Sequence, residues 1–87
     1  YTLLARATEL LNNGDAAGCL LIAQRTLEQN AWQEQAVELG MRAALSLGDR
    51  AGALKLYKRV ENQLENDLGI APQIELQRLY NQAKKSS

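Results

Sequence analysis

Histidine and phenylalanine are absent from this 87-residue sequence, and cysteine, proline, methionine and tryptophan occur once each. With no imidazole and a single thiol, Cys19, the chain cannot assemble a Cys/His zinc site, a Ser-His or Cys-His nucleophilic pair, or an internal disulfide. No catalytic, cofactor or metal site is expected. Charge of one sign is missing too: ten basic residues balance ten acidic ones, and no basic run exceeds two. The phosphate attraction of a nucleic-acid binder is therefore lacking, and direct DNA contact by these residues is not expected. No stretch reaches the ~20 apolar residues of a membrane helix, and no basic region followed by an apolar run opens the chain. A cytoplasmic location without membrane contact is the expectation. What remains is 46% apolar and 23% charged, a composition suited to one small globular domain.

An internal repeat organises the chain. At an offset of 34, Leu11, Gly14, Asp15, Ala17, Gly18, Leu20 and Arg25 align with Leu45, Gly48, Asp49, Ala51, Gly52, Leu54 and Arg59. That period, with Gly-Asp between two apolar-periodic segments, is the tetratricopeptide signature of a helix, a tight turn and a second helix running back. Glycine ends the first helix in a left-handed conformation, and aspartate caps the next. Both aspartates are thus assigned to structure, not chemistry.

The pattern predicts an all-α fold with helices over 1–13, 16–29, 31–47, 50–66 and 73–84. Repeat one spans 1–30, repeat two spans 31–68, and 73–84 is a C-terminal capping helix of a right-handed α-solenoid. Apolar stripes are expected from Leu3, Ala7, Leu10 and Leu11, from Leu20, Ala23 and Leu27, and from Ala53, Leu54, Tyr57, Val60 and Leu64. Leu76, Leu79, Tyr80 and Ala83 form a shorter one. Ile22 and Leu56 fall off the main stripes, so each is expected to touch the next unit, since one repeat cannot bury its apolar face alone. Asn30 and Gln33 resemble a capping box opening the third helix, with Trp32 anchoring its first turn in the core. Cys19 stands where repeat two has Ala53, a position read as close helix packing. The start at Tyr1, and an N-terminal face with no capping element, suggest a fragment of a longer regulator.

Residues 47–80, LGDRAGALKLYKRVENQLENDLGIAPQIELQRLY, are more particular. They resemble the end of the bacterial transcriptional activator domain of SARP-type antibiotic regulatory proteins. The resemblance rests on Ala53, Leu54 and Tyr57, on the turn Leu68-Gly69-Ile70-Ala71-Pro72, and on Glu75, Leu76, Leu79 and Tyr80. Ala71 departs from that pattern, which has an acidic residue there, and Ile74 stands where a second proline is common. Gly69 is expected to end its helix at positive φ and Pro72 to block continuation, with Leu68 and Ile70 pinning the turn to the core.

The resemblance implies a module that follows a winged-helix DNA-binding domain in a transcription activator. Its expected partners are proteins: RNA polymerase, another domain of the same chain, or a second copy in a homo-oligomer. DNA would be reached only through a segment outside this sequence. A general tetratricopeptide adaptor unrelated to transcription is the alternative.

In a stack of helix pairs the first helices line a groove suited to a peptide or a partner's helix. The Gly-Asp register places Leu4, Thr8 and Asn12 of the first helix beside Gln35, Glu38 and Arg42 of the third as the candidate partner-binding groove. Glu38 and Arg42, four apart, also read as an ordinary surface ion pair. Residues 1–49 carry three basic and six acidic side chains, whereas 50–87 carry seven and four. Arg50, Lys55, Lys58 and Arg59 form the basic concentration, read as a solvated face without an aromatic platform. Glu61, Glu65 and Asp67 lack the geometry of a metal site and read as a solvated helix end.

Overall fold

The computed structural model describes residues 3–29 and 33–85. Five helices follow one another: α1 (Leu3–Asn12), α2 (Ala16–Gln29), α3 (Glu34–Ser46), α4 (Arg50–Leu68) and α5 (Ile74–Lys85). The fold is all-α, as the periodicity predicts, and compatible with a helical repeat domain. Consecutive helices pack together, and α3 also touches α1 and α5. The Cα envelope of 36 × 34 × 18 Å is about two helices thick. One layer holds α1, α3 and α5, and the other holds α2 and α4.

Both Gly-Asp turns have the same hydrogen-bond pattern. After α3, the Gly48 N–H donates to the Leu45 carbonyl at 3.1 Å and the Asp49 N–H to the Ala44 carbonyl at 2.8 Å. This crossed pair is the Schellman closure, and it requires a left-handed residue, which Gly48 supplies at φ 78°. Asp49 then turns from ending one helix to starting the next, its Oδ1 accepting from the Gly52 N–H at 2.9 Å. Gly14 and Asp15 repeat the arrangement between α1 and α2, with the Gly18 N–H donating to Asp15 Oδ1 at 3.0 Å.

α3 is the centre of the molecule, with Ala36, Val37, Leu39, Gly40, Met41, Ala43 and Ala44 buried. Around it lie Ala7, Cys19, Ala23 and Leu27 from α1 and α2, and Ala53, Tyr57, Val60, Leu64 and Leu76 from α4 and α5. Among the described residues no polar or charged side chain is buried. At Gly40 three helices meet: a Cβ there would stand 3.0 Å from Leu56 Cδ1 and 3.4 Å from Ala23 Cβ. Small residues at this crossing let α2 and α4 approach α3 from either side.

Several expectations need correction. The third helix begins at Glu34 instead of residue 31, with Gln33 as its N-cap and no side-chain cap bond. Asn30 and Trp32, invoked for the capping box and the core anchor, lie outside the described residues, as does the Leu3 side chain. Leu54, placed on the core stripe, is half-buried and stands outside the core cluster, whereas Leu56 and Ile22 pack against it. Leu56 reaches Gly40 of the preceding helix. Leu68 and Ile70 do not pin the α4–α5 turn: they are 56% and 50% exposed. Gly69 at φ 66° ends α4 as predicted, and Pro72, not its aliphatic neighbours, is the buried residue of the turn.

Candidate partner-binding face

Because α3 is packed on most of its circumference, its polar positions collect on one strip. Gln35, Glu38 and Arg42 recur at three- and four-residue spacing, which puts them on a single face. Gln35 and Arg42 are exposed and Glu38 is half-buried. Arg42 Nη2 donates to Glu38 Oε1 at 2.9 Å. Half of the Arg42 side chain remains in solvent, so the pair contributes only about 0.3–0.5 kcal/mol to folding and can be re-partnered at little cost.

On α1, Asn12 is exposed, and Thr8 is half-buried with its Oγ1 donating to the Leu4 carbonyl at 2.9 Å. Leu4 is a core residue, 8% exposed, and offers a partner little surface. The polar positions left to the candidate groove are Thr8 and Asn12 on α1 and Gln35, Glu38 and Arg42 on α3, two helices in contact.

Sequence reasoning missed a contact that joins α3 to the start of α5. Glu34, in the first turn of α3, extends a carboxylate whose Oε2 accepts from the Gln73 backbone N–H at 2.8 Å. That amide precedes α5, where the free N–H groups and the helix dipole favour a negative charge. Gln77 Nε2 completes the turn by donating to the Pro72 carbonyl at 2.7 Å. No local spacing could reveal a bond between residues 39 apart.

The basic side of α4 also differs from expectation, for an aromatic does lie beside it. Tyr80 of α5 stacks on buried Tyr57, with ring centroids 4.3 Å apart and planes 20° from parallel. Lys58 Nζ lies 5.2 Å and Lys84 Nζ 5.3 Å from the Tyr80 centroid, within cation–π range. Lys58 also donates to Glu61 Oε1 at 3.3 Å. Burial, then the nearby Glu61 carboxylate, push the Tyr57 phenol above its ordinary range. The Lys58 ammonium is pushed above its ordinary pKa by its hydrogen bond to Glu61 and by the neighbouring Tyr80. Lys55 and Arg59 lie elsewhere, flanking a hollow of about 340 Å³ between α2 and α4 whose floor includes Leu20, Ala44 and Leu56.

Cys19 is fully buried, with Sγ 3.8 Å from the Leu39 carbonyl. Burial and then the Asp15 charge raise its thiol pKa, which leaves it protonated and unreactive at neutral pH. Among the described residues no group of three or more Cys, Asp or Glu is arranged to hold a metal ion, and no helix is long and apolar enough to cross a membrane.

Comparison with curated proteins and with solved structures finds no match. The family of the bacterial transcriptional activator domain matches residues 2–84, nearly the whole chain. On that match, and on a helical framework compatible with it, the chain belongs to the bacterial transcriptional activator domain family.

Proposed function

We propose that this regulatory domain acts through protein contacts, without catalysis, and that the strip formed by Thr8, Asn12, Gln35, Glu38 and Arg42 is where a partner binds. In this reading the partner belongs to the bacterial transcription machinery, RNA polymerase first, and the domain works in the cytoplasm. The observation that carries the reading is the Glu38–Arg42 pair on the one open strip of an otherwise packed α3. An exposed, weakly held ion pair supplies both signs of charge to a partner, and such pairs govern recognition more than folding. The repeat-one and repeat-two boundaries at 30 and 68, with 73–84 as a cap, are part of the same proposal. α1 and α3 then serve as the first helices of two stacked units.

The test is transcription in vitro with purified RNA polymerase and the activator carrying Glu38→Lys or Arg42→Glu. Activation should fall at least ~10-fold in each variant, with promoter binding and helix content unchanged. Full activation in both variants rejects the strip as the binding face.

A further inference from the structure

We propose that the α4–α5 corner is a second docking surface, and that its occupant is a basic amphipathic helix of a partner protein. Five large apolar side chains are about half exposed among the described residues, and Leu68, Ile70 and Ile74 are three of them. All three fall within seven residues of chain. Exposing that much aliphatic surface at one corner costs hydrophobic free energy that a partner would recover.

The corner is held in shape by defined contacts. Left-handed Gly69 closes α4, Pro72 is buried, and the Gln73 N–H is held by Glu34. Its exposed side chains thus stand on a fixed backbone, which lowers the ordering cost of binding.

Charge selects the occupant. Residues 61–76 contain four carboxylates, Glu61, Glu65, Asp67 and Glu75, and no cation. A hollow of about 240 Å³ is lined by Glu61, Glu65, Gly69, Ile70, Ala71 and Pro72. Its walls suit a lysine or arginine of the partner, with the aliphatic stem along Ile70 and Pro72 and the cation at Glu65. Glu61 already holds Lys58 at 3.3 Å, leaving Glu65 as the first acceptor for an incoming charge. Leu68 and Ile74 then meet the partner's apolar stripe. A nucleic acid or an anionic membrane would be repelled by the same four carboxylates.

The probe is a synthetic helix of about 18 residues, five turns, with leucine at three- and four-residue spacing and lysine elsewhere. A copy with glutamate in place of lysine is the control, and both are titrated into the protein by fluorescence anisotropy. The lysine peptide should bind, more weakly at high salt, and at least ~10-fold more weakly to Leu68→Ser, Ile70→Ser and the charge reversal Glu65→Lys. Leu21→Ser, an exposed apolar site on α2, should bind as wild type does. Circular dichroism checks that each variant keeps its helices, and Glu65→Lys, which removes no apolar contact, carries the test if a serine variant does not. Absence of binding, equal binding of the two peptides, or equal loss in Leu21→Ser overturns the proposal. Wild-type self-association that disappears in the corner variants, seen by sedimentation, assigns the surface to a second copy and also overturns it.

Discussion

Gly48 and Leu54 mark the two ends of what single residues reveal. The left-handed glycine and its aspartate were legible in the sequence because a Schellman closure and an N-cap are local chemistry, settled within six residues. Gly48→Val, forcing a β-branched side chain to φ 78°, should cost more than about 1 kcal/mol. An unchanged urea midpoint would refute that assignment. Leu54 was misplaced because its burial depends on where the other helices lie, which local spacing does not encode. Its repeat equivalent, Leu20, packs against the core and lines the hollow between α2 and α4, whereas Leu54 stands outside the core cluster. Leu64→Ala, at a site 1% exposed, should lose about 2–5 kcal/mol, and Leu54→Ala about 1 kcal/mol or less. Denaturation of both variants, compared at one temperature, decides whether that difference exists.

Among the elements, helix existence and order were readable from apolar spacing, while the forces joining one helix to another were not. The end of α4 shows why. Gly69 and Pro72 announced a turn through their backbone chemistry, but the burial of Pro72 and the exposure of Leu68 and Ile70 depend on where α5 and Glu34 lie. The Tyr57–Tyr80 stack was equally hidden, since each tyrosine looked like an ordinary stripe residue on its own helix. Glu34→Ala removes the acceptor for the Gln73 N–H. Loss of a charge-assisted bond to a helix start should cost about 0.5–2 kcal/mol, with the earliest hydrogen exchange at the first turn of α5. Exchange there at the wild-type rate would show that α5 is held by its apolar face alone. Of the candidate groove, the polar strip on α3 was legible because helical spacing is local, but the burial of Leu4 was not.

For the molecule as a whole, titration gives a signed expectation. Tyr57 is raised by burial and by Glu61, so the folded chain holds its proton more tightly than the unfolded chain does. Its contribution is complete below the ordinary tyrosine pKa of about 10 and is lost as pH rises through the folded value. Cys19 has the same sign, raised by burial and Asp15, from about pH 8.5 upward. Urea midpoints should therefore fall on the alkaline side, and Tyr57→Phe should flatten that fall; identical slopes in both proteins would contradict it. The family match over residues 2–84 makes the chain a bacterial transcriptional activator domain, and its proposed partner contact is the α1/α3 strip. The most direct measurement is binding of immobilised protein to purified RNA polymerase by interferometry, for wild type, Glu38→Lys and Arg42→Glu. Wild type should be retained and each variant should bind at least ~10-fold more weakly. Polymerase bound equally by all three, or by none, would contradict that proposal.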